Sequence, residues 1–430
     1  MSESNFPHTG QERNGPAFRL LAGGADLVHI VALFLLAAGS VHFEPLDLKA
    51  GTKLENLFPL LLIAFLIGRK RTDWRSLSNF APGLYLLVSG LVIGTLSSFS
   101  IEALEELGRF LMRIGTGVLL SYWIWNRLVD GKQGWSVVWL VGLVFLQVRT
   151  PWGSLSEATF EGPFNHRNTQ SAFYILSLPL ILLALHQMWS GKPPKLPGWV
   201  KVSFLCATGT VLLSELLFMS LSKSRSGVIG VVATVVLGIV FVSRKRNVSH
   251  GKLALGIVGL AFVLLLLGLS LAPRFKNLGR ELVDPFYLSR SGIWAAATHG
   301  WEQPERWVTG IGMGDGYNQV VRESAIGNLN HRYRRGHHPH SMYLQWLYWG
   351  GVASLLGWGL VLLPIWRSSR GEDAGWEIQI LGACLLGFAA LELFECAFRH
   401  PRIAIMFWLD LCLLACYATA CLKGGEEGDS

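Results

Sequence analysis

Residues 331–340 read HRYRRGHHPH. The run holds His331, His337, His338 and His340, with Arg332, Arg334 and Arg335, and contains no acid. Arginine forks match phosphate oxygens in bidentate pairs, and imidazole titrates near neutral pH. Such a set suits a phosphorylated leaving group and a hydroxyl nucleophile that must lose a proton. The plainer reading is a solvated basic segment touching lipid headgroups. Metal binding fits less well. His338 and His340 have a spacing that two ligands tolerate, but the arginines beside them repel a dication and no carboxylate lies in the run.

Two more arginines stand apart. Arg225 lies in SKSRSG at the start of an apolar run, and Arg290 lies in YLSRSGIW. Taken alone, Arg225 reads equally as a snorkelling side chain, and Arg290 as the partner of a nearby carboxylate. The stretch GIGMGDGYN (310–318) is rich in glycine. No Lys-Ser/Thr follows it and no strand precedes it, so it is not a phosphate-binding loop, and its glycines read as a tight turn near the membrane surface. Asp315 within it is a weak candidate base. Glu215, Glu392, Glu395 and Asp410 fall in apolar segments, where a carboxylate needs either a function or a named partner. Glu395 and Arg399 are four apart, so the spacing predicts a structural pair on one helical face. Glu215 has no local partner and would face the bundle interior, holding an Arg or His.

What must position these groups is a membrane. Of 430 residues, 51% are hydrophobic and only 15% charged, well below the ~25% charged of a typical soluble domain. That balance excludes disorder and argues against a soluble enzyme. Apolar runs lie near 23–41, 56–68, 82–100, 108–126, 134–149, 170–189, 199–221, 226–243, 253–272, 342–366, 376–398 and 402–422. The run 56–68 is short for the ~20 residues that cross a bilayer. The expectation is an all-α polytopic membrane protein of about twelve transmembrane helices, one integral domain over 1–430. Residues 1–19 read as a short cytoplasmic tail. Lys and Arg favour the loops on the same side as that tail, which puts both termini inside. The long hydrophilic segment 273–341, between the ninth and tenth helices, then lies outside; in a Gram-negative bacterium that is the periplasm. The net charge of +8 follows from this loop bias and is no sign of a nucleic-acid partner. The six cysteines lie in apolar segments without metal or disulfide spacing and read as small buried residues. The 17 Trp and 9 Tyr suit interfacial anchors.

Together these pieces resemble the O-antigen ligase family, which shares a core with O-antigen polymerases. The most specific piece is HSMYLQWLYWGGVAS (340–354). It is similar to the family's external-loop pattern of His, then Asn, Ser or Gln, then nine residues, then Gly: here His340, Ser341 and Gly351. The pattern closes with Gly, Thr or Tyr three residues on, where this chain has Ser354. SRSG (224–227), SRSGIW (289–294) followed by GIGMG (310–314), and FNHRN (164–168) resemble other family segments in the same order.

The resemblance implies a GT-C-like inner-membrane enzyme with its active site facing the periplasm. It implies transfer of a glycan from undecaprenyl pyrophosphate to a sugar hydroxyl of lipid A-core, making lipopolysaccharide. It also implies inversion at the anomeric carbon, with neither nucleotide, metal nor other cofactor. The family's two key arginines map onto Arg225 and Arg290, which would hold the pyrophosphate. Its key histidine maps onto His340, which would take or orient the acceptor hydroxyl proton, with His338 as the alternative base. Arg167, His337, Arg332, Arg334 and Arg335 would add attraction for diphosphate or for lipid A-core phosphates. Partners would be the lipid-linked glycan, lipid A-core and membrane lipids, with no nucleic acid. A polymerase on the same fold and a protein O-oligosaccharyltransferase share the donor and differ in the acceptor. A transporter would place charge at the membrane midplane on broken helices, and a non-catalytic scaffold would not need the three residues to converge.

Overall fold

The computed structural model describes residues 16–38, 41–43, 48–50, 54–68, 74–98, 100–132, 134–149, 167–189, 198–222, 224–244, 294, 304–314 and 339–426. The described chain is helical apart from one antiparallel ribbon. Strand β1 (Val41–Phe43) pairs with β2 (Leu48–Ala50) so that His42 faces Lys49. The helices are α1 (Pro16–Ala38), α2 (Phe58–Gly68), α3 (Ala81–Ser98), α4 (Ile101–Val129), α5 (Gly134–Arg149), α6 (Arg167–Trp189), α7 (Gly198–Ser222), α8 (Arg225–Ser243), α9 (Pro304–Thr309), α10 (Met342–Ser369), α11 (Trp376–Glu392) and α12 (Pro401–Glu426). A backbone in lipid must satisfy its own N–H and C=O groups, and the helix does this within one segment.

The expectation of about twelve transmembrane helices is not met. Among the described residues five helices are long and apolar enough to cross a membrane: Ser76–Ser98, Asn168–Gln187, Arg225–Ser243, Met342–Ser369 and Pro401–Cys421. They make the chain a multi-pass membrane protein. Among the described residues the shorter apolar helical stretches are Gly23–Ala38, Leu54–Ile67, Gly134–Val148 and Val202–Ser214. Helix α4 is long, but its first turns carry Glu102, Glu105, Glu106, Arg109 and Arg113; Arg109 pairs there with Glu105 and Glu106. The apolar run 253–272 and most of the segment 273–341 lie outside the described residues.

Helix α10 packs along α3, α11 along α8, α12 along α4, and α1 lies against α2 and α5. In lipid, association rests on close packing, and small residues permit it. The α3–α10 seam follows that rule. A Cβ at Gly90 would sit 2.8 Å from the Gly350 carbonyl oxygen, and one at Gly357 2.3 Å from the Leu87 nitrogen. Ser354 closes the seam by donating to the Leu87 carbonyl at 3.2 Å.

Helix α10 is also broken. Gly350 and Gly351 leave helical geometry, Gly351 with φ 66° and ψ −162°. The turn 310–314 lies against this break. Ile311 N–H donates to the Tyr348 carbonyl at 2.7 Å, and a Cβ at Gly310 would meet Gly350 nitrogen at 2.7 Å. The glycines at 310, 312 and 314 all have positive φ, as a tight turn requires.

Packing corrects two compositional readings. Trp135, Trp139, Trp346, Trp358 and Trp408 are core residues rather than interfacial anchors. Phe398 lies among Trp346, Trp358, Phe407 and Trp408 at ring separations of 5.3 to 6.1 Å. Four cysteines are buried as expected, but Cys206 and Cys421 are exposed: Cys206 sits on an outward face of α7 and Cys421 near the end of α12.

Candidate active site

Helix α11 ends at Glu392, and the chain crosses residues 393–400 before α12 begins. Two acids hold this crossing. The Glu392 carboxylate accepts N–H bonds from Ala397 at 3.0 Å and Phe398 at 3.3 Å. These donors lie just past the helix end, so Glu392 is a loop clamp. Phe398, sunk in the aromatic core, anchors the same crossing from below.

Glu395 lies in this crossing and not on a helix. The expected pair with Arg399 on one helical face therefore cannot form as described, because the helix stops three residues earlier. Glu395 turns instead to three other partners. Its Oε1 accepts from His340 Nδ1 at 3.2 Å and from Cys396 N–H at 3.2 Å, and its Oε2 accepts from Asn168 Nδ2. The carboxylate is 1% exposed, while the imidazole is 21% exposed. The acid is thus internal and the histidine stands at the edge of the site.

His340 lies just before Ser341, the N-cap of α10, and has φ 48°. For a residue with a side chain this left-handed backbone costs about 1–2 kcal/mol, and such strain gathers where function needs a fixed geometry. With Glu395 ionised, the carboxylate only accepts, and His340 Nδ1 carries the hydrogen of this bond. In the neutral ring this puts the lone pair on Nε2, the arrangement of a general base oriented by an acid.

Trp294 fixes the backbone beside His340. Its indole N–H donates to the Pro339 carbonyl at 2.9 Å, and its ring stacks on Phe394 with centroids 6.2 Å apart. Trp294 is the final residue of the SRSGIW segment, four after Arg290.

The SRSG segment at 224–227 begins α8. Ser224 is the N-cap, accepting from Gly227 N–H at 2.9 Å and donating to Asn168 Oδ1 at 2.5 Å. A Cβ at Gly227 would come within 2.3 Å of Ser171 Oγ, so this glycine lets α8 approach α6. Arg225 follows as the first residue of α8 and is half-buried. A continuous polar chain therefore runs Ser224–Asn168–Glu395–His340. It joins the starts of α6, α8 and α10 to the α11–α12 crossing.

Other expected residues fall as follows. Arg167 is the first residue of α6, with its side chain outside the described residues, as is that of Glu215 on α7. Arg290, Asp315, His331, Arg332, Arg334, Arg335, His337 and His338 also lie outside them. Asp410 is buried in α12, and among the described residues its carboxyl oxygens have no hydrogen-bond partner. No three His, Cys, Asp or Glu side chains among the described residues gather as metal ligands. The site adds two residues not picked out as site residues from sequence, Asn168 and Glu395. Asn168 ends the FNHRN segment, and Glu395 was visible as an acid in an apolar run.

Cys396 adjoins Glu395 but is no nucleophile. Burial, and then the Glu392 and Glu395 carboxylates, push its thiol well above the ordinary value. Only a thiolate reacts readily, so maleimide should leave Cys396 unlabelled in the folded protein and label it after unfolding, as peptide mass spectrometry would read.

Fold and site together give a multi-pass helical membrane protein with a histidine bonded to a buried acid near a helix start. Residues 209–359 match the family model described as O-antigen ligase. This match supports an O-antigen ligase-type activity for that part of the chain, hence enzymatic glycan transfer from a lipid-linked donor. It spans Arg225, Arg290, His340 and Gly351, while Asn168 and Glu395 come from outside it. Comparison with curated proteins gives no match.

Proposed function

We propose that this chain transfers a glycan from undecaprenyl pyrophosphate to a hydroxyl of lipid A-core, in the bacterial inner membrane with its site facing the periplasm. The acceptor oxygen attacks the anomeric carbon, the bond from that carbon to the pyrophosphate oxygen breaks, and the configuration inverts. Nε2 of His340 takes the acceptor proton, and Glu395 stabilises the imidazolium that forms. Arg225 and Arg290 hold the departing pyrophosphate and balance its growing charge; His338 is the alternative base, and Arg167, His337, Arg334 and Arg335 assist in binding the phosphorylated substrates. A polyprenyl tail stays in lipid while its pyrophosphate reaches a site at helix ends. The observation that carries the reading is the His340–Glu395 pair, linked by hydrogen bonds to Ser224 beside Arg225.

The test offers purified protein an undecaprenyl-pyrophosphate glycan with and without lipid A-core. A high-mass lipopolysaccharide band is expected only with lipid A-core, and His340→Ala should lose it, since a general base contributes about 10²–10⁴-fold. Lengthened lipid-linked glycan without lipid A-core would make the protein a polymerase and overturn the acceptor assignment.

A further inference from the structure

Asn168 sits where the two halves of the polar chain meet. It is buried on the first turn of α6, as are Ser224 and Glu395 in their own elements. Its amide orientation is dictated by its neighbours. Glu395 can only accept, so the NH₂ group must face Oε2; the carbonyl oxygen is then turned to the Ser224 hydroxyl, which donates to it at 2.5 Å. Oε2 is thereby held from behind, and Oε1 is left directed at His340 Nδ1. Ser224 is itself fixed, because its oxygen caps α8. An amide with both ends bonded transmits position: a shift of the α8 start moves Ser224, then Asn168, then the carboxylate that orients the imidazole.

We propose that Asn168 is a positioning residue for glycan transfer, locking the Glu395 carboxylate toward His340 and tying that pair to the first turn of the helix that begins with Arg225. The inference rests on the reading of His340 as the base. It reaches beyond that reading, because neither Asn168 nor its role follows from the His340 motif. Only the donor end of the amide matters for Glu395, and that gives a swap. Asn168→Asp keeps an acceptor for Ser224 but sets two carboxylates face to face. Glu395→Gln keeps an acceptor for His340 but sets two NH₂ groups face to face. Together, Asn168→Asp with Glu395→Gln restores one donor and one acceptor at that contact, and every side chain keeps its size.

The full-length protein in detergent is assayed with undecaprenyl-pyrophosphate glycan and lipid A-core, giving kcat and KM. Each single variant is expected to lose at least about tenfold in kcat, and the double variant to exceed both. A double variant as slow as the product of the two single losses, or Asn168→Asp within about twofold of wild type, overturns the proposal. A second readout needs no turnover. The ¹⁵N signals of the His340 imidazole, assigned by loss in His340→Ala, should report hydrogen on Nδ1 in wild type, shift in Asn168→Asp and return in the double variant. Unshifted signals in Asn168→Asp overturn the positioning role. Shifted and restored signals in a protein that does not turn over this donor uphold it, and fault the substrate assignment alone.

Discussion

Glu395→Ala is expected to slow glycan transfer by about 10²-fold or more, and His340→Ala with Glu395→Ala together to be no slower than His340→Ala alone. Three effects are lost at once. The imidazole loses the acceptor that holds hydrogen on Nδ1, so the tautomer with its lone pair on Nε2 is no longer selected. The ring loses one of the contacts that fix its orientation. The imidazolium formed in the transition state loses its countercharge. Each acts only through His340, so none remains to be lost once the imidazole is gone. Removal also strips acceptors from Asn168 and from Cys396 N–H, and a buried donor without a partner costs about 1–3 kcal/mol. The check is therefore a double-variant comparison of kcat alongside thermal unfolding. Multiplying losses, or a single variant within twofold of wild type, would remove Glu395 from the mechanism.

Gly351→Ala is expected to destabilise the protein by several kcal/mol and to abolish transfer by unfolding the break in α10. Two costs combine. The backbone at φ 66° and ψ −162° belongs to a region that is essentially glycine's, costing about 1–3 kcal/mol for other residues. A Cβ there would lie 2.1 Å from the Val308 carbonyl oxygen and 2.8 Å from that of Trp307. Both are backbone atoms in α9, so the α9 strap must move, and overpacking typically costs a further ~1–3 kcal/mol. Gly359, eight residues on in the same helix, is the control. A Cβ there meets nothing within 4 Å, and alanine favours a helix over glycine by ~1 kcal/mol. Thermal unfolding in detergent should show a large fall for Gly351→Ala and none for Gly359→Ala. Equal behaviour would mean that the break in α10 is not required.

The glycine of the motif thus has a mechanical part, and the proposed mechanism gives the histidine a chemical one. Spacing alone placed them in one pattern without separating these parts. The SRSG segment divides the same way: Ser224 caps and links, Gly227 admits α6, and Arg225 is the charged member.

Local features were legible in the sequence. Apolar runs located the helices, most of them within a few residues, because the need to hide backbone and side chains from water or lipid acts along short stretches. The glycine turn at 310–314 was marked in the sequence because positive φ and close backbone approach suit few other residue types. The apolar runs overstated the number of crossings, since a run of apolar residues need not become a helix of full spanning length. The partners of Glu395 were decided only by tertiary structure. Its local spacing suggested Arg399, but α11 ends at Glu392, and the carboxylate reaches Asn168, 227 residues away in the chain. Such a contact depends on how α6, α8, α10 and the α11–α12 crossing meet, and hydrogen-bond partners at that separation are chosen by packing, which no local pattern encodes.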